Sequence, residues 1–251
     1  EAPGLSVEKL ALTMGATSRA LWLIYIFLTF LCAVAYRIGP MNTFDAVCHA
    51  LTTLATGGFS THQSSMGYFQ SGYLEYVCVA FMFLSGVNFG MYYFMFSGRF
   101  KVIAKNEELR WYVILIIGGT LLFLGRFYFA PRFNIFTDEQ LAAHPMNGAE
   151  RLRTSLFHVV ALLSNTGFQG QNYDYDTWGR LFIIPTVVMM IIGGCAGSTS
   201  GGIKVVRVLV LFKYIKKSIY ELIHPSSVYT IKISDQPVEE MSVRRVVSFF
   251  S

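Results

Sequence analysis

Two short stretches of this sequence can do chemistry with their backbone alone. Residues Thr56–Phe59 read TGGF and Asn165–Phe168 read NTGF. What they offer is carbonyl oxygen, and carbonyls facing a common axis replace the water shell of a dehydrated cation. Gly58 and Gly167 suit such a turn, because glycine accepts backbone angles that other residues resist. Neither stretch contains Asp or Glu, so selection by carbonyls favours a monovalent alkali ion over the carboxylate ring of a calcium site. Thr56, Gly57, Gly58, Asn165, Thr166 and Gly167 are the candidate ion contacts.

A third stretch, IIGGCAGSTSGGIK (Ile191–Lys204), raises a different question. It follows an apolar run, Leu181–Met190, and then gives up its side chains. Two readings are open from the residues. Gly193, Gly194, Gly197, Ser198, Thr199, Ser200, Gly201 and Gly202 could form a non-helical loop lying across a wet cavity, with hydroxyls bonded to water or loop carbonyls. Alternatively they form a site of close helix packing of the small-xxx-small kind. A phosphate-binding loop is excluded, because Ile203 stands between Gly202 and the lysine and no soluble strand precedes it.

Positioning such stretches takes a membrane. The 251 residues are 53% hydrophobic and 14% charged, against roughly 25% charged in soluble domains; mean hydropathy is +0.47. Four runs approach the ~20 apolar residues of a membrane-crossing helix: Ala20–Tyr36, Tyr76–Gly98, Trp111–Gly125, and Leu181 to about Leu211 with the small-residue break inside it. Two others, Thr43–Ala55 and Arg153–Ser164, are too short to cross and read as re-entrant helices. The basic residues cluster after the second span (Arg99, Lys101, Lys105, Arg110) and after the fourth (Lys204, Arg207, Lys213, Lys216, Lys217). That places both connections in the cytoplasm and the outer ends of the short helices outside. Arg126, Arg132, Arg151 and Arg153 on the outer side weaken this bias without reversing it. Clusters between apolar runs suit membrane orientation and speak against nucleic-acid binding.

The order span, short helix, span occurs twice. His49 falls on His158, Leu54 on Leu163, Gly58 on Gly167 and Phe59 on Phe168, at an offset of 109 residues. Repeated membrane units point to a pathway between them. A short helix ending near mid-membrane directs the negative end of its dipole inward. Irregular backbone at that depth is tolerable only against protein or a water-filled cavity.

These residues resemble a known family. TGGFST (Thr56–Thr61), SNTGF (Ser164–Phe168) and IIGGCAGSTSGGIKVVR (Ile191–Arg207), in this order, are similar to the Trk/Ktr/HKT superfamily of potassium transporters, and most to its bacterial TrkH-type members. The resemblance covers nearly the whole chain. It implies an all-α membrane protein of repeated helix–pore helix–helix units in pseudo-fourfold arrangement, multi-pass in the inner (plasma) membrane among its lipids. It implies potassium as the transported ion, and Gly193–Gly202 as a gating loop beneath the filter. It also implies a homodimer and a cytosolic nucleotide-binding regulatory subunit of the TrkA/KtrA type. Residues 1–105 match the second of four repeats and 106–217 the third. Residues 218–251 then form a cytoplasmic connection and, from Val243, the start of a fourth. The ends read as those of a piece of a longer chain, and two filter segments alone would not conduct.

Other residues carry less. His49 and His158 read as packing or capping residues. Asn88 should bond across helices, while Glu75 and Arg180 belong at the membrane interface and Trp111 and Trp178 in aromatic belts. Lys204 and Arg207 are orientation charges that could also contact the gate or a regulatory partner. The cysteines Cys32, Cys48, Cys78 and Cys195, with no CxxC spacing, read as packing residues rather than metal ligands or disulfides. An enzyme is not expected: there is no HExxH, no GxSxG and no paired intramembrane carboxylates. A secondary symporter of another solute or cation, built on broken helices, is the alternative, and it would require a polar or aromatic substrate lining that the turn segments lack.

Overall fold

The structure, a computed structural model, describes residues 14–96, 98–129, 146–171, 183–224, 230–234 and 236–250. Arg132, Asn172, Trp178 and Arg180 lie outside them. The chain begins with α1 (Met14–Ile38), long enough to cross a membrane at a mean hydropathy of 2.0 over Ser18–Ile38. One side of it packs inward through Ile24, Leu28, Cys32 and Tyr36, and the other presents Trp22, Leu23 and Phe30 outward. A solvent-facing helix would not leave Trp22 and Phe30 each 64% exposed, but a lipid-facing one does. The short helix α2 (Thr43–Leu54) packs back against α1 and is followed by a single 3₁₀ turn at Ser65–Phe69.

The expected second span is not one helix. It is α3 (Gly72–Ser85) and α4 (Phe89–Phe96), bent by 95°. The cause is local. Gly86 sits against the Tyr112 ring, where a Cβ would meet Cζ at 2.8 Å. Asn88 turns its Oδ1 onto the Gly90 N–H at 2.7 Å and so opens α4 as a cap, rather than bonding across helices as expected. The carbonyls freed at the bend find partners in the glycine-rich loop.

After the short α5 (Phe100–Ala104), α6 (Glu107–Phe129) provides a second unbroken crossing helix. It packs on α7 (Gly148–Leu163), the second short helix, which starts earlier than the sequence suggests. Asn147 and Glu150 form a reciprocal capping box there, so α7 has 16 residues to the 12 of α2. Because the C-terminal ends keep the 109-residue offset, the four extra residues add about one turn at the N-terminus. Next come α8 (Ile183–Ile192) and, beyond the loop, α9 (Val205–Ile223). Ser218–Ile223, expected in a connection, is still helix. A two-residue hairpin pairs β1 (Lys232–Ile233) with β2 (Gln236–Pro237). It joins α10 (Glu240–Phe250) in a small core in which Ile231, Val243 and Val246 pack on Val210 of α9.

Candidate ion-conducting site

The two turn segments leave their short helices with the same backbone. Ala55 closes α2 at φ −76°, ψ −3°, and Ser164 closes α7 at φ −77°, ψ −5°. The next residues, Thr56 and Asn165, are left-handed at φ 52° and 56°, and Gly58 and Gly167 are left-handed again at 65° and 76°. The hydrogen bonds repeat as well. Thr56 N–H donates to Thr53 O and Asn165 N–H to Leu162 O, both at 3.1 Å. Gly58 N–H reaches Thr52 O at 3.4 Å and Gly167 N–H reaches Ala161 O at 3.1 Å, while Gly57 N–H also donates to Thr52 O at 2.8 Å. Thr166 is buried, its hydroxyl 2.8 Å from that of Ser164.

The fold brings the segments together. A Cβ on Gly58 would run into the Thr166 carbonyl oxygen, whereas around Gly167 no described atom lies within 4 Å of such a Cβ. One unit therefore touches the next head to tail, and the matching face of the second unit is open among the described residues.

Behind the segments stand the two histidines. His49 Nδ1–H donates to Asp45 O and His158 Nδ1–H to Thr154 O, both at 2.7 Å, which fixes the same tautomer in each unit. In the neutral ring, His49 Nε2 then accepts from Ser60 Oγ at 2.9 Å, and Ser60 Oγ accepts from His62 N–H at 3.1 Å. Burial lowers the His49 pKa and favours that neutral ring. Asp45, 5% exposed, gathers the outgoing limb of the first segment. Its Oδ1 accepts from the Thr61 hydroxyl at 2.6 Å, and its Oδ2 meets Asn42 Nδ2 at 2.8 Å and His62 Nε2 at 3.2 Å. The Thr61 hydroxyl, with His62 beside it, holds the Asp45 carboxyl below the ordinary carboxylate range against the opposing effect of burial.

The second segment is braced differently. Glu75 of α3 is buried within the protein and paired with Arg153 of α7, which donates Nε to it at 2.6 Å. Its other oxygen accepts from Gln171 N–H at 2.5 Å, and Arg153 Nη2 reaches Gln171 Oε1 at 3.2 Å. The 3₁₀ turn adds Gly67 N–H to Gln169 O at 3.1 Å.

Between α8 and α9 the small-residue stretch is a closed, non-helical loop. Its neck is laced by Ile203 N–H to Ile191 O and Lys204 N–H to Ile192 O, both 2.8 Å, and by Val205 N–H to Gly194 O at 3.0 Å. Here glycine is required at Gly193 and Gly202: both have positive φ, and a Cβ on Gly202 would meet Gly193 Cα at 2.8 Å. Gly194 N–H donates to Ser200 Oγ at 2.9 Å, and the Ser198 hydroxyl to Cys195 O at 2.6 Å. The bend of the second span supplies acceptors: Cys195 N–H bonds Gly86 O at 2.9 Å and Thr199 N–H bonds Ser85 O at 3.3 Å. In return, Gly197 O accepts from Phe89 N–H at 3.0 Å. Gly201 and Gly202 are exposed.

Loop and turn segments are bonded to each other. The Thr199 hydroxyl donates to Leu54 O at 2.8 Å, and the Thr56 hydroxyl donates to Thr199 O at 2.9 Å. Asn165 Nδ2 donates to Met190 O at 2.9 Å, and Ser200 Oγ lies 3.4 Å from Asn165 Oδ1. A left-handed non-glycine residue costs about 1–3 kcal/mol, and these side-chain bonds hold Thr56 and Asn165 in place. Lys204 donates its ammonium to Ser200 O, while Arg207 lies over the Phe249 ring at 5.2 Å. Asp45 and Glu108 are not legible as site residues in the sequence: Asp45 meets its partners only once the outgoing limb folds back on α2, and the partner of Glu108, Ala196, is 88 residues away. The Asn42-x-x-Asp45 start of α2 was the one visible signal.

Comparison with known proteins agrees with this architecture. The Trk system potassium uptake protein TrkH of Salmonella typhimurium is 34% identical over 258 residues, covering 100% of this chain and 50% of that protein. TrkG of Escherichia coli is 33% identical over 252 residues, with 49% of its length covered. The crystal structure of the potassium transporter TrkH from Vibrio parahaemolyticus superposes with a TM-score of 0.82 at 32% identity, over 96% of this chain and 49% of that one. The chain thus spans about half the length of the relatives it matches. The family model of the TrkH cation transport proteins matches residues 6–251, and the chain belongs to that family.

Proposed function

We propose that this chain carries two filter segments and the gate of a potassium-uptake pathway through the membrane. The observation that supports this best is the paired backbone of Thr56–Gly58 and Asn165–Gly167, with Gly193–Gly202 tied to both. Alternating the sign of φ along a strand turns successive carbonyls toward one side, the arrangement a dehydrated cation needs. The relatives are named as potassium uptake proteins, and K+ is the ion proposed here. Its inward driving force is about 2.3 kcal/mol per 100 mV. Residues 1–105 and 106–217 act as the two pore units, with 218–251 as the cytoplasmic connection leading toward a further unit. Head-to-tail contacts of the Gly58–Thr166 kind continue until a ring closes, which fits a pseudo-fourfold pore of which this chain supplies two sides. The whole protein is placed in the inner membrane as a homodimer with a cytosolic nucleotide-binding subunit of the TrkA/KtrA type, on the family's resemblance.

The test is Gly58→Ser and Gly167→Ser in the full-length protein, reading potassium, rubidium and sodium uptake into vesicles. Both replacements strain a positive φ, and that at Gly58 also meets the Thr166 carbonyl. Both should weaken potassium preference, Gly58→Ser more strongly. Unchanged selectivity in both variants rejects the filter assignment.

A further inference from the structure

We infer that Glu108 is a positioning residue for the glycine-rich loop, tying the loop's buried limb to the first turn of α6; this rests on the gate reading above. Glu108 is 4% exposed. A carboxylate that far from water persists only when its oxygens are bonded. Its Oε1 accepts from Ala196 N–H at 2.6 Å, a short charge-assisted bond. The Val206 N–H and the Lys204 ammonium both stabilise the charge on the same carboxylate, and Lys204 bonds Ser200 O. One side chain therefore holds the loop at Ala196, with the residues of its exit, Lys204 and Val206, in the field of the same carboxylate. The loop's other ties run to the bend between α3 and α4, through Cys195, Gly197 and Thr199, and to the filter side, through Thr199 and Ser200. Glu108 is the counter-tie, on a helix that belongs to neither filter segment.

The neighbouring carboxylate has a separate task. Glu107 pairs with Lys213 at 2.7 Å and accepts from Ser234 N–H at 3.2 Å, holding the hairpin rather than the loop. That makes Glu107→Gln a control for general damage to the start of α6. The loop also carries its own reporter: Cys195, fully buried, is the residue before Ala196. If Glu108 restrains the loop, releasing it should expose that thiol.

The experiment uses the full-length protein in proteoliposomes, with Cys32, Cys48 and Cys78 replaced by Ser. A small membrane-impermeant thiosulfonate is supplied on both sides, and Cys195 modification is measured beside potassium uptake per folded molecule. Glu108→Gln keeps the acceptor oxygen but removes its charge, and should raise the modification rate roughly three- to tenfold, the equivalent of exchanging a charged hydrogen bond for a neutral one. It should also raise uptake without changing selectivity. Glu108→Asp keeps the charge for folding but shortens the reach, and should give a smaller rise. Glu107→Gln should match the parent. Parental Cys195 rates in both Glu108 variants, or an equal rise in Glu107→Gln, overturn the assignment. Deleting Ala196–Ser200 in parallel separates the two readings. If the deletion raises uptake while the Glu108 variants leave Cys195 protected, Glu108 is misassigned and the gate stands. If Glu108→Gln exposes Cys195 but neither it nor the deletion raises uptake, the tie stands and the gate reading fails.

Discussion

Thr56 and Asn165 occupy backbone angles that favour glycine, and each has a side chain that meets the loop, at Thr199 O and at the Ser200 hydroxyl. The Thr56 hydroxyl is used on Thr199 O, and the Asn165 amide on Met190 O and the Ser200 hydroxyl; in the proposed filter their own carbonyls are the groups that meet the ion. The sequence made the glycines legible, because missing side chains are visible in a string of letters. It hid the strain at Thr56 and Asn165, since nothing local distinguishes a left-handed threonine. Asp45 is a residue-scale case with a measurable sign. Its carboxyl is held below the ordinary range by Thr61 and His62, so the ionised form is favoured in the folded state. The stability it contributes is full above the unfolded value of about 3.9 and is lost as pH falls through the lower folded value. Asp45→Asn should therefore lower thermal stability in detergent at neutral pH by about 1.5–3 kcal/mol, and flatten the parent's loss of stability below about pH 4. A variant that melts as the parent does across that range would show that Asp45 does not brace the outgoing limb.

At the scale of elements, α2 and α7 were readable because they are too short to cross and end in matching turns. The bend between α3 and α4 is not legible in the sequence, because Phe, Met and Tyr fill both arms and only Ser85–Asn88 interrupts them. The bend is what lets Ser85 O and Gly86 O accept from the loop, so the break between α3 and α4 and the break between α8 and α9 complete each other's hydrogen bonding. Glu75 and Arg153 pin α3 to α7 across the unit boundary. Gly72 and Gly170 leave room for them: a Cβ on Gly72 would meet the Arg153 guanidinium, and one on Gly170 would meet Glu75 Oε1 at 2.8 Å. Removing one partner of a buried pair leaves a bare charge and costs about 3–5 kcal/mol. Glu75→Gln and Arg153→Met should each destabilise the full-length protein on that scale, and the double variant should cost much less than the two together. Additive losses in a double-mutant cycle would show that the pair does not act as one brace.

Across the whole molecule, the account depends on two units presenting the same backbone to one axis, with the loop bonded to both. The repeat, the membrane class and the family are legible in the sequence, because they rest on order and spacing. The wiring between units was not, because Gly58 against Thr166, Glu75 against Arg153 and Glu108 against Ala196 are contacts between residues about eighty or more positions apart. The filter claim is tested most directly by soaking crystals of the full-length protein in rubidium and locating its anomalous signal. The account predicts density beside the carbonyls of Thr56, Gly57, Asn165 and Thr166, on the axis between the two segments. Rubidium bound elsewhere in the chain, with none at these four carbonyls, would contradict it.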